Sequence, residues 1–149
     1  MKNVAFAIVA VTSLALTISA CKGLGEPDYK AKNEEAERMI STNGTFRRLD
    51  SVCAELPKPT DFVMLGKHTG SIPRLNDSDH NFIGYQYKTS LNYDQLLAFY
   101  EGYFRENAWT FEYARPHWGS WFEYSKGSDF VTVTSLPDGL ASVSCSDSF

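Results

Sequence analysis

The densest group of ligating side chains in the sequence is Asn76-Asp77-Ser78-Asp79-His80. An amide, two carboxylates, a hydroxyl and an imidazole in sequence could offer a cation mixed oxygen and nitrogen donors. The spacing lacks the central Gly and the distal bidentate Glu of a calcium loop, so the run reads as a solvated turn. His68 and His117 have no partner that chain spacing alone brings near, and an isolated imidazole is not a base poised for catalysis. Gly66-Lys67-His68-Thr69 has the Gly-Lys of a phosphate loop. It carries His where Ser or Thr is needed, and Asp61 stands where the first Gly belongs. Gly119-Ser120 lacks the second Gly of a nucleophile elbow. Glu101, Glu106, Glu112 and Glu123 read as wet faces of a helix and a sheet. No catalytic, cofactor-binding or metal residue is assigned from the sequence, which points away from an enzyme.

Aromatic side chains offer a different chemistry, stacking. Fifteen of the 21 Phe, Tyr and Trp residues lie between Phe82 and Tyr124, so the core is expected there. Tyr85, Tyr87, Trp109, Phe111 and Tyr113 recur at period two. They could line a groove for a sugar or another ring, but opposite an aromatic helix this pattern reads as core. Trp121 resists that assignment. Alternation puts it opposite Trp118 and Phe122, on the polar side with Glu123, and makes it the candidate partner contact.

The element that must position these rings is an amphipathic helix over 92–106. Leu96, Phe99, Tyr100, Tyr103 and Phe104 follow the i, i+3, i+4, i+7, i+8 series and should share one buried face. Asn92 and Gln95 form a capping-box pattern, Leu91 and Leu96 a hydrophobic staple, and Asn107 is the expected left-handed terminator. Strands are expected over 62–65, 83–89, 109–114, 118–124, 130–135 and 141–145, with Pro137-Asp138-Gly139 turning the last pair. Residues 66–81 read as a polar loop. A short helix over 34–40, capped by Asn33 and ended by Asn43-Gly44, precedes them, and Phe46 and Leu49 continue helically toward Cys53. The expected fold is α+β. An antiparallel sheet of about five to six strands carries one main amphipathic helix on one face, plus the short N-terminal helix.

The first residues have their own pattern. Lys2 is followed by an apolar run from Val4 to Ile18, then Ser19, Ala20 and Cys21. The run is too short and too abruptly polar afterwards to read as a spanning helix. Ile18-Ser19-Ala20-Cys21 resembles the lipobox of bacterial lipoproteins. That resemblance implies cleavage before Cys21 and attachment of lipid, including palmitate, to it. Residues 1–20 would be the signal peptide, 21–32 a tether and 33–149 a single domain. Lys22 stands where Asp would favour retention at the inner membrane. In a host with two membranes the implied address is therefore the outer membrane facing the periplasm. In a host with one it is the cell surface. Several acyl chains at about 0.8 kcal/mol per buried CH₂ would make the anchor permanent.

Cys53 and Cys145 remain, an even pair in an exported domain, and are expected to form a disulfide. The formal charge is −4, which argues against a nucleic-acid partner and against electrostatic attachment to anionic lipid.

Tyr85-x-Tyr87, Phe99-Tyr100, Phe104 and Asn107-x-Trp109 together resemble a loose group of small exported bacterial lipoproteins of unknown function, with Ala108 standing where Gly is usual. That likeness brings no activity with it. The expectation is a lipid-anchored, non-catalytic module that binds a protein or another envelope component. The alternatives are an immunity-type inhibitor of a periplasmic toxin, or an envelope hydrolase whose polar residues only the fold brings together.

Overall fold

The computed structural model describes residues 28–72, 80–115 and 120–147. Cys21 and the leader, Asn76 to Asp79, His117 and Trp118 lie outside the described residues. The elements follow in the order α1 (Tyr29–Thr42), α2 (Gly44–Glu55), β1 (Val63–Ile72), β2 (His80–Lys88), α3 (Tyr93–Glu106), β3 (Thr110–Arg115), β4 (Trp121–Lys126), β5 (Asp129–Leu136) and β6 (Leu140–Asp147). The strands form one antiparallel sheet in the order β1-β2-β6-β5-β4-β3. After β2, helix α3 carries the chain to the far edge, and a four-stranded meander returns until β6 lies beside β2. This is the expected α+β architecture.

The core occupies one side of the sheet. Ile83, Tyr87, Phe122, Tyr124, Val131, Val133, Ala141, Val143 and Cys145 are buried at alternate positions of their strands, as a one-sided sheet requires. Two helices cover them. Helix α2 presents Phe46, Leu49 and Cys53, and α3 presents Leu96, Tyr100 and Phe104. Phe104 stacks on Tyr124 with ring centroids 4.2 Å apart. Cys53 and Cys145 are joined by a disulfide between α2 and β6. Closing a loop of that length contributes about 4–5 kcal/mol in the chain-entropy model.

Helix α3 has the expected capping box between Asn92 and Gln95. Its far end differs from expectation. Asn107 has φ −101° and Ala108, with φ +57°, is the left-handed residue. The N–H of Trp109 donates to the carbonyl of Phe104 at 2.9 Å and that of Ala108 to Arg105 at 3.4 Å. The rings of Trp109 and Phe104 meet at 5.4 Å. This is a complete Schellman closure with its hydrophobic contact, built around a residue that has a Cβ. The buried stripe of α3 is also narrower than its sequence pattern. Phe99 is 38% exposed and only edges onto Tyr100, because Leu96, Tyr100 and Phe104 form a single i, i+4, i+8 ridge against the sheet.

The N-terminal helices are longer than expected. Asp28, not Asn33, caps α1, accepting from the N–H of Ala31, so Tyr29 to Lys32 are helical where the tether was expected to run. Asn33 has another task. It accepts from the N–H of Lys67 at 2.6 Å and Lys67 Nζ meets Glu37 at 2.5 Å, so α1 lies along the outer edge of β1. Asn43 both ends α1 and caps α2.

Strand β1 runs through Ile72, well into the expected 66–81 loop. Its pairing with β2 runs from Val63↔Lys88 to Ile72↔His80. A Cβ at Gly70 would come within 2.4 Å of the Phe82 ring, and one at Gly84 within 2.6 Å of the His68 imidazole. These glycines make room for rings on the neighbouring strand, a use of strand glycine that carries no hydrophobic signature.

Two substitutions test α3. Phe104→Ala should cost about 3–5 kcal/mol in denaturant unfolding, while Phe99→Ala should cost well under half of that; equal costs would contradict the ridge geometry. Ala108→Gly should stabilise by about 0.5–1 kcal/mol, since left-handed strain outweighs the extra entropy of glycine. Destabilisation would show that the closure is not strained.

Candidate functional site

The side of the sheet opposite α2 and α3 carries the candidate site. Cross-strand register lays its residues out in rows. One row runs Tyr113–Glu123–Thr132–Ser144–Gly84–His68 across all six strands, and the next runs Arg115–Trp121–Thr134–Ser142–Gln86–Gly66. Most of these side chains are half-buried, and at the β1 end Tyr29 and Asn33 of α1 reach over Gly66 on this side. Thr132 Oγ1 donates to Glu123 Oε2 at 2.8 Å, fixing the carboxylate on this face. Ser125 donates to Glu112 beside it.

Trp121 stands on this face, as alternation places it. Tyr113 joins it, against expectation. The pairing of β3 with β4 slips between Phe111 and Tyr113: Phe111 lies opposite Tyr124, on the core side, and Tyr113 opposite Glu123. The extra residue, Glu112, makes a bulge and transfers everything after it to the other face. The Tyr113 and Trp121 rings therefore meet at 5.2 Å with a 48° tilt. Tyr113 is 46% exposed and Phe111 51%, so neither is a core residue. Of the aromatic stripe expected inside, Tyr87 is buried, Tyr85 and Trp109 are half-buried, and the β3 pair is at the surface. No sequence signal marks the bulge, since Glu112 suits an exposed strand position equally well in either register.

Other side chains named in the sequence fall elsewhere. Helix α1 lies along β1, four strands from β4, and so does not cover Trp121. His80 is a buried strand residue, with Nδ1 3.7 Å from Asp147 Oδ1, at the end of the sheet. His68 lies at the rim between the open face and α1, where a cavity of about 400 Å³ is lined by Ala31, Lys32, Glu35, His68 and Thr69. Burial, and secondarily the nearby Lys32 cation, hold its pKa below the ordinary value. Among the described residues its imidazole forms no hydrogen bond with a hydroxyl or thiol that would make it a catalytic base.

Asp61 accepts at Oδ2 from the Ser90 N–H, the Ser90 hydroxyl and the Thr89 hydroxyl. The Ser90 bonds are the main reason its carboxyl stays below the usual range. This ties the connector before β1 to the turn before α3 and is a structural role. Tyr85 donates to Asp50 of α2, and burial, then that bond, push its phenol above the usual range. Among the described residues no group of three or more His, Cys, Asp or Glu is placed to hold a metal ion.

The face offers two aromatic rings at different tilts, a positioned carboxylate, and a floor of hydroxyls and an amide. Comparison with protein-family models, with curated proteins and with solved structures finds no match to this chain.

Proposed function

We propose that the protein is a lipid-anchored binding module of the bacterial cell envelope whose working surface is the open sheet face around Trp121. The single observation that carries this reading is the pairing of Trp121 with Tyr113 on the side that the helices leave uncovered. Large rings kept at a surface cost solubility, and Trp and Tyr are the side chains that most often anchor an interface. The anchor rests on the sequence. The leader and Ile18-Ser19-Ala20-Cys21 support lipidation at Cys21, and Lys22 supports an address in the outer membrane facing the periplasm when the host has one. A short segment between Cys21 and α1 would hold the domain close to the membrane, where envelope components are concentrated.

One set of variants tests both halves. Cys21→Ser should leave an uncleaved, unlipidated precursor, and processing to the wild-type size would contradict the anchor. Detergent-solubilised wild-type and Trp121→Ala proteins, matched by circular dichroism, are then compared for retention on isolated envelope fractions. The variant should lose about 2 kcal/mol or more of binding free energy, as buried interface Trp residues do. Equal retention of the two proteins would rule out this face.

A further inference from the structure

We propose that the outer edge of β1 binds an extended, acidic peptide segment, which pairs with the backbone of Thr69 and Ser71 in the cleft beside α1. This edge is separate from the face around Trp121, and neither surface depends on the other.

The direction of the backbone groups is fixed by two hydrogen bonds. From Gly66 to Ile72 the pairing of β1 with β2 is regular, with Lys67 opposite Tyr85, Thr69 opposite Ile83 and Ser71 opposite Asn81. In an antiparallel ladder, alternate residues point their N–H and C=O groups to the same side. The N–H of Lys67 donates to Asn33 of α1 at 2.6 Å, away from β2. The N–H of Asn81 donates to Asp147 of β6 at 2.8 Å, away from β1. Thr69 and Ser71 share the parity of Lys67, so their N–H and C=O groups point outward too. Among the described residues no strand or loop backbone pairs with them there. The opposite edge offers no such run, because the bulge at Glu112 interrupts β3.

Helix α1 decides what can reach this edge. It meets β1 at Gly66 and Lys67 through Tyr29, Asn33 and Glu37. At Thr69 it stands off, and Ala31, Lys32, Glu35, His68 and Thr69 line the cavity of about 400 Å³. A helix set beside an edge strand admits one extended chain, the arrangement by which peptides are captured through strand addition. The sheet of a second copy would collide with α1. Charge then selects the peptide. Arg38 holds Glu35 with two bonds, at 2.6 and 3.0 Å, and Lys67 holds Glu37. Lys32 has no ion-pair partner among the described residues, and a peptide carboxylate in the cleft supplies one. The His68 and Phe82 rings, edge to face at 5.9 Å beside Gly70, give an apolar side chain of the added strand a seat.

The test selects binders of the detergent-solubilised full-length protein from a phage-displayed library of random heptapeptides. The selected peptides are then synthesised and followed by fluorescence titration and amide hydrogen exchange. They should be rich in Asp, Glu and β-branched residues, and should slow exchange at Thr69 and Ser71 about tenfold or more. Ser71→Pro removes an outward N–H and leaves the backbone bonds between β1 and β2 in place, so it should weaken binding about tenfold. Ser71→Ala loses the same hydroxyl bond to Asn81 but keeps the N–H, and should bind as wild type does. Lys32→Glu should also weaken binding about tenfold. A library that yields no binder, binders rich in Lys and Arg, or binders that leave exchange at Thr69 and Ser71 unaltered overturn the inference. So does slowing of these amides that grows with protein concentration in the absence of peptide, which would assign the edge to a second copy. If Ser71→Pro fails to fold, exchange in the wild-type protein decides by itself.

Discussion

The Cys53–Cys145 bridge is the constraint on which the rest of the molecule hangs. It joins the last turns of α2 to β6, an inner strand of the sheet, and both cysteines are buried. A domain of this size has a net stability of only about 5–15 kcal/mol, so a crosslink worth about 4–5 kcal/mol is a large share of it. The bridge also settles which side of the sheet is inside. Once α2 is fixed over β2 and β6, α3 needs only to cover β4 and β5 to complete the core, and neither helix covers the opposite side.

That division shows in the side chains. On the covered side, rings and branched aliphatics interlock, as in the stack of Phe104 on Tyr124. On the other side, Ser142, Ser144, Thr132 and Thr134 occupy the same strands at the intervening positions. The two edges are also treated differently. Helix α1 covers β1, with Asn33 and Glu37 reaching Lys67, which protects that edge from stray pairing. At the other edge β3 is broken by its bulge, another device that discourages strand addition. The same bulge brings Tyr113 to Trp121, so one extra residue shapes both the edge and the ring platform.

Much of this was legible in the sequence for physical reasons. Helix α3 announces itself through a 3.6-residue period and a capping box, the Pro137-Asp138-Gly139 turn through its residue types, and the disulfide through an even cysteine pair in a domain expected to be exported. Three features were not legible. Strand β1 is held by backbone pairing and by glycines beneath rings, so its residues read as a polar loop. Asn33 looks like a helix cap and instead serves a strand edge far along the chain. Tyr113 changes face because of a register slip that neither residue type nor period records. Of the candidate site, Trp121 and Glu123 followed from alternation, while their ring partner required the three-dimensional pairing.

The central claim is that the sheet is sealed on one side and open on the other, with Tyr113 and Trp121 on the open side. Hydroxyl-radical footprinting of the full-length protein in lipid vesicles, read residue by residue by mass spectrometry, tests it most directly. The account predicts rapid oxidation of Trp121 and Tyr113 and strong protection of Tyr100, Phe104 and Phe122. Protection of Trp121 and Tyr113 equal to that of Tyr100 would contradict it.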